Sequence, residues 1–200
     1  MPDQSPSEIR IALVQGSVRP GNYTAKALAL VADELSASKS FQVDIIDPTG
    51  VALPMPGRGT DSPETERFAE TIRNAVGVVL ATPEYHGSYS SVIKLVIENL
   101  GFPSGLAGKP VVLLGVAAGQ IGAIKALEHL RSVCSHIGSI VLPGPVSVAG
   151  VQDVFDENGK CLDASAEKRI RGLATHLIDY IEESVCPRFC LEQFVRERAA

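Results

Sequence analysis

A chain of 200 residues is long enough to bury one sizeable hydrophobic core. Its apolar content of 45% and charged content of 20% are typical of a globular protein, and its net charge of −5 disfavours a nucleic-acid partner, because nucleic acids are bound by basic surfaces. No apolar run reaches the length that spans a membrane. We therefore expect one cytoplasmic domain over residues 1–200, with neither a nucleic-acid nor a membrane partner.

Apolar runs alternate along the chain with segments of helical periodicity. Strands are predicted at residues 9–14, 41–46, 76–81, within 109–117 and at 139–142, and helices at 23–38, 64–75, 91–100, 120–137 and 164–183. Residues 1–8 are predicted to be a disordered arm, 143–163 to be irregular, and 186–200 to be a short tail beyond a helix that Pro187 breaks. Wholly apolar strands that alternate with helices indicate an α/β fold, with a five-stranded parallel sheet covered on both faces.

The turn after the first strand carries many groups that bind phosphate. Ser17, Asn22 and Thr24 offer hydroxyl and amide donors, Arg19 offers a planar guanidinium, and the turn opens directly into a helix. The Lys-Ser/Thr pair of a P-loop is absent, which disfavours nucleoside triphosphates and leaves a terminal phosphate monoester, as in FMN. A polar turn with a solvated arginine is the alternative interpretation.

A phosphate turn at this position favours the strand order 2-1-3-4-5. In such a sheet, ligands lie outside the carboxyl ends of strands one, three and four, at the point where the strand order reverses. The functional loops are then expected at residues 15–24, 82–90 and 116–122.

The second of these loops reads Pro-Glu-Tyr-His-Gly-Ser at residues 83–88. Together with Gly-Ser-Val-Arg at residues 16–19, Asn22 and Thr24, it resembles the NAD(P)H-dependent FMN reductases of the flavodoxin-like superfold, a group that includes quinone and chromate reductases. The resemblance runs from about residue 9 to residue 183. His86 stands where that family has Asn, and Asn22 stands where a Ser is usual.

The resemblance implies a flavodoxin-like three-layer sandwich that binds FMN. The resemblance implies that the FMN phosphate is surrounded by Ser17, Arg19, Asn22, Tyr23 and Thr24. It implies that the isoalloxazine edge is lined by Pro83, Glu84, Tyr85, His86, Gly87 and Ser88. The turn after strand four would approach the ring with Ala118, Gly119 and Gln120. The implied reaction passes a hydride from NADPH or NADH through FMN to a small-molecule acceptor such as a quinone, free flavin or chromate. Such chemistry requires orientation more than an acid or a nucleophile, so no catalytic side chain is assigned.

Two alternatives stay open at this point. A flavodoxin-like electron carrier or FMN-binding sensor would bind the flavin without its own reductase activity. The pattern Gly115-x3-Gly119-x2-Gly122, between a strand and a helix, also suits a dinucleotide turn, although the acidic residue expected after the next strand is absent.

An apolar stripe at residues 89–100 suggests a homodimer or a homotetramer. It consists of Tyr89, Val92, Ile93, Val96, Ile97 and Leu100. The stripe could equally cover the sheet of its own chain. The family resemblance favours an assembly in which this segment, or its neighbour at 120–137, meets a partner.

The four cysteines do not have the spacing of a zinc site or of a redox Cys-x-x-Cys motif. They are Cys134, Cys161, Cys186 and Cys190. We predict reduced thiols and no metal.

Overall fold

A parallel sheet forms the centre of the fold. The computed structural model describes residues 9–58 and 62–199, so the arm predicted at residues 1–8 lies outside the described residues. Within them the strands are β1 (Ile9–Gln15), β2 (Phe41–Ile46), β3 (Gly77–Tyr85), β4 (Ser88–Tyr89), β5 (Pro110–Val116), β6 (Ile140–Val141) and β7 (Val146–Val148). The main order is β2-β1-β3-β5-β6, and all these neighbours are parallel. The predicted order 2-1-3-4-5 is confirmed, because these are the five predicted strands in chain order.

Helices cover both faces of this sheet, as predicted. The described residues contain α1 (Tyr23–Ser36), α2 (Pro63–Asn74), α3 (Ser91–Glu98), α4 (Ile124–His136), α5 (Val151–Val154), α6 (Ala164–Tyr180) and α7 (Cys186–Ala199). On one face α1 and α6 bury Leu28 and Leu173, and on the other α2, α3 and α4 bury Ile72, Ile93 and Leu130. None of these described helices is both long enough and apolar enough to cross a bilayer.

The fifth predicted strand is divided in two. β6 pairs with the start of β5, and β7 pairs with its carboxyl half. Pro143 and Pro145 lie between the two short strands, and a proline has no N–H to donate to a ladder. The prediction that residues 143–163 are irregular was therefore wrong in part, since they contain β7 and α5.

The chain stays helical past Pro187, contrary to the predicted break. α6 passes into a π-helical turn at Ile181–Val185, where the Cys186 N–H donates to the Ile181 carbonyl five residues back. A proline ring crowds the carbonyl four residues before it, and the wider π turn makes room for that ring. The predicted tail is thus a helix, α7, over its described residues.

The apolar stripe at residues 89–100 packs on the sheet of its own chain. Ile93, Val96, Ile97 and Leu100 are all at most 6% exposed and belong to the core beneath α2, α3 and α4. These four residues are therefore covered within the chain, while Tyr89 and Val92 of the stripe are half-buried. Its periodicity reflects burial within the chain, which the sequence pattern could not distinguish from burial between chains.

All four cysteines are free thiols, as predicted. Cys134 on α4 is fully buried, and desolvation raises the pKa of its thiol to about 12, against an opposing effect of the Arg131 charge. This thiol is protonated at neutral pH and therefore unreactive, because the thiolate is the nucleophile.

Candidate functional site

A cavity of about 480 Å³ lies at the carboxyl ends of the central strands, between the loops that follow β1, β3 and β5. Larger grooves of about 940 and 720 Å³ lie on the surface of α6 and between the C-terminal ends of α3 and α4. Parallel α/β sheets bind ligands where the strand order reverses, which here is between β1 and β3. We therefore take the smaller cavity as the candidate site and call it the strand-end cavity.

Most of the predicted site residues line this cavity. Those that do are Ser17, Arg19, Asn22, Tyr23, Thr24, Pro83, Glu84, Tyr85 and Ala118. Those that are not in its wall are His86, Gly87, Ser88, Gly119 and Gln120. The structure thus brings the three predicted loops together, while the binding role of each residue stays a prediction.

The first loop begins at a glycine that has no room for a side chain. The Gly16 N–H donates to the Ala81 carbonyl of β3 at 2.7 Å, and a Cβ on Gly16 would lie only 2.4 Å from the same oxygen. The Ser90 hydroxyl donates to the Gly16 carbonyl at 2.5 Å. These contacts fix the base of the loop against the end of β3.

Asn22 shapes the loop with its side chain. Its Oδ1 accepts a hydrogen bond from the Ala25 N–H at 2.8 Å, which caps α1, and its Nδ2 donates to the Arg19 carbonyl at 2.8 Å. Both ends of the amide are therefore used within the protein. Asn22 lines the cavity but acts on the backbone, which sequence reasoning did not foresee.

Other donors at the start of α1 are not used by the protein. Among the described residues, none accepts a hydrogen bond from the amides of Tyr23 and Thr24 or from the Thr24 hydroxyl. Thr24 is 1% exposed and Ser17 is 2% exposed, and both line the cavity. Helix N-terminal amides and hydroxyls are the donors that hold a phosphate. The residues present therefore fit the phosphate end of a mononucleotide such as FMN.

Arg19 connects two loops across the cavity mouth. The carbon of its guanidinium lies 5.2 Å from the centre of the Tyr85 ring, within the range of a cation–π contact. Arg19 itself is exposed. The guanidinium thus contacts Tyr85 at the exposed rim of the cavity, which the start of α1 also lines.

The second loop is a β-hairpin, which corrects the predicted loop at residues 82–90. β3 continues to Tyr85 and pairs with β4 in antiparallel fashion. The turn residues His86 and Gly87 have φ values of 51° and 75°. A two-residue turn with positive φ at both positions prefers Asn-Gly, and histidine is among the residues enriched in this conformation. His86 can therefore replace Asn without changing the turn.

The Glu84 carboxylate is directed at a helix. Its Oε2 accepts a hydrogen bond from the Ala126 N–H in the first turn of α4, at 3.1 Å. The family resemblance placed Glu84 along the flavin edge, and Glu84 does line the cavity. Its charge, however, is already paired with the positive end of the α4 dipole.

Two glycines, one near the end of β5 and one in the turn after it, are required by close packing. A Cβ on Gly115 would lie 2.6 Å from the Ala123 Cβ, and one on Gly122 would lie 2.3 Å from the Ser147 hydroxyl oxygen. The N-terminus of α4, which follows this turn, already binds the Glu84 carboxylate. A pyrophosphate would meet that negative charge, so this turn does not suit a dinucleotide.

Some residues of the cavity wall were not among the predicted site residues. Val116 and Ala117 line the cavity and lie within the loop predicted at residues 116–122, whereas Val151 and Gln152 lie outside every predicted loop. The Val151 N–H donates to the Ala117 carbonyl at 3.1 Å, which brings α5 to the end of β5. Residues 151 and 152 lie in the segment predicted to be irregular, where no local pattern indicates a position in the wall.

Comparison with known proteins identifies the family. The family model described as NADPH-dependent FMN reductase matches residues 9–153. The chain belongs to the NADPH-dependent FMN reductase family. This FMN reductase family member is an oxidoreductase with FMN as cofactor and a reduced nicotinamide as electron donor, as the resemblance implied.

Individual relatives agree with this membership. The FMN reductase family member is 31% identical to an NAD(P)H-dependent FMN reductase of Pseudomonas aeruginosa, over 82% of this chain and 90% of the relative. It is 30% identical to a 2-hydroxy-1,4-benzoquinone reductase of a Burkholderia species, over 82% and 91% of the two chains. The fold is similar to that of the flavoenzyme FerB of Paracoccus denitrificans, with a TM-score of 0.72 at 23% identity over 88% and 98% of the chains.

Proposed function

We propose that this FMN reductase family member passes a hydride from NADPH or NADH, through FMN bound in the strand-end cavity, to a quinone, free flavin or chromate. The observation that carries the proposal is the set of unused donors at the start of α1, in a cavity that Tyr85 and Ala118 also line. The similarity to a benzoquinone reductase supports the quinone as acceptor.

The proposed roles follow from position. The amides of Tyr23 and Thr24, with the Ser17 and Thr24 hydroxyls, hold the phosphate, and Arg19 neutralises it at the rim. Tyr85, Ala117 and Ala118 provide the apolar wall against which a flat ring lies. Bound FMN supplies the two-electron chemistry, so the protein contributes orientation and exclusion of water.

A steady-state acceptor screen tests this proposal. Purified protein loaded with FMN is mixed with NADPH or NADH and with a benzoquinone, free FMN or chromate, and nicotinamide oxidation is followed. We expect turnover that requires both FMN and an acceptor. Tightly bound FMN without nicotinamide oxidation would instead indicate an electron carrier or a sensor.

We also propose that the protein works in the cytoplasm, where reduced nicotinamides are available. We propose further that the chain forms a homodimer or a homotetramer. Support for an assembly comes from Ile121, in the turn before α4, and Ile124, at its start, which are 77% and 47% exposed although apolar. Light scattering at working concentration should give a mass of two or four chains. A mass of one chain would refute the assembly.

A further inference from the structure

The first turn of α4 is capped by side chains from two strands. Ala123 occupies the N-cap position directly before α4, and its methyl side chain cannot accept a hydrogen bond from the amides of the helix. Its N–H donates to the Ser147 hydroxyl of β7 at 2.8 Å, and the Ala126 N–H donates to the Glu84 carboxylate of β3 at 3.1 Å. The first N–H groups of a helix have no partner within the helix. Two side chains distant in sequence therefore accept the hydrogen bonds of these amides, for which the local sequence offers no acceptor.

The same region is packed without spare room. Gly115 and Gly122 are so close to Ala123 and Ser147 that a Cβ at either glycine would overlap its neighbour. β3 and β7 both pair with β5, so the two caps tie the start of α4 to the strands on either side of β5. A shift of this helix end would disturb both strand ends.

The hairpin formed by the end of β3 and by β4 contacts α4 at two points. Glu84 binds the first turn of α4, and the Ser88 hydroxyl is 3.0 Å from the Nδ1 of His129, one turn further along the helix. Glu84 also lies in the wall of the strand-end cavity, directly before Tyr85. Glu84 thus lines the cavity, while its carboxylate binds the helix.

We propose that Glu84 is a positioning residue. Its carboxylate fixes the hairpin at residues 83–89 to the N-terminus of α4, so that residues 83–85 and residues 117–118, which line the cavity, face the flavin ring as one unit. A carboxylate suits this place because the N-terminal end of a helix dipole is positive. The inference rests on the proposed function, since it assumes that the cavity holds the flavin ring.

Hydrogen exchange on the FMN-free protein and flavin titration test this role. Glu84→Ala should raise the exchange rate of the Ala126 amide about tenfold, because its acceptor is lost. FMN and riboflavin affinities should both fall by the same factor, about threefold to tenfold, because the ring wall is displaced and the phosphate loop is not. Glu84→Gln keeps an accepting oxygen and should restore most of the protection and affinity.

Glu128→Ala is the matched control, since Glu128 is exposed on α4 and makes no hydrogen bond to the described residues. This substitution should change neither the exchange rate of the Ala126 amide nor the affinities for FMN and riboflavin. If Glu84→Ala does not fold, Ser147→Ala removes the second cap, and the Ala123 amide should then exchange faster while both flavins weaken together.

Two outcomes would overturn the proposal. Weaker flavin binding with unchanged exchange at Ala126 would mean that Glu84 contacts the flavin directly. Faster exchange with unchanged flavin affinity would mean that the cap does not position the cavity wall. Neither outcome affects the proposed function, which fails separately if the unmodified protein does not bind FMN.

Discussion

Replacing Arg19 with alanine is expected to weaken FMN binding about tenfold to a hundredfold and to leave riboflavin binding nearly unchanged. A charge-assisted hydrogen bond from the guanidinium to the phosphate contributes about 1.5–3 kcal/mol, and about 1.4 kcal/mol corresponds to a factor of ten. Riboflavin lacks the phosphate. Quenching of flavin fluorescence on titration gives both affinities with the same protein preparation.

The cation–π contact between Arg19 and Tyr85 makes the comparison of the two flavins necessary. Arg19→Lys should recover only part of the loss, since an ammonium keeps the charge without the planar fork. Arg196→Ala is a control on α7, distant in sequence from every loop of the cavity. Equal weakening of both flavins by Arg19→Ala would mean that Arg19 acts on the ring wall through Tyr85, and the phosphate assignment would be wrong.

Gly16→Ala is expected to destabilise the fold and to abolish FMN binding at micromolar concentration. The new Cβ would meet the Ala81 carbonyl oxygen at 2.4 Å, and that oxygen belongs to backbone that cannot rotate away. Separating the ends of β1 and β3 would also stretch the hydrogen bonds that Gly16 makes with Ala81 and Ser90. Overpacking of this kind costs about 1–3 kcal/mol, which urea denaturation measures directly.

Gly172→Ala is the matched control for that substitution. Gly172 is exposed in the middle of α6, and a Cβ there would have no neighbour within 4 Å. Alanine should stabilise the helix by about 0.5–1 kcal/mol, because glycine loses more backbone entropy on folding. If Gly16→Ala were as stable as Gly172→Ala, the close approach of β1 and β3 at this glycine would be refuted.

The sheet order and the three loops of the cavity were predictable because their signals are local. Strands buried on both faces have apolar side chains at successive positions, as in β1 and β5, and a polar turn after β1 is visible without tertiary information. The parallel order then determines which loops meet. The family resemblance named the cofactor, which the turn alone left open among phosphate ligands.

The partners of individual side chains were not predictable, because they are distant in sequence. Glu84 binds an amide 42 residues away, and Ser90 binds the Gly16 carbonyl 74 residues away. Ser90 is recognisable as an N-cap of α3, yet nothing local indicates its second bond. Pro187 is a further case, since a π-helical turn absorbed a residue that usually ends a helix.

Anaerobic reduction of the bound flavin tests the central claim most directly. FMN-loaded protein is mixed with one equivalent of NADPH without oxygen, the flavin absorbance is followed, and a benzoquinone is then added. The proposed function predicts rapid loss of the oxidised flavin spectrum and its return on addition of the quinone. A spectrum that stays oxidised with both NADPH and NADH would contradict a reductase and leave a flavin-binding protein without hydride-transfer activity.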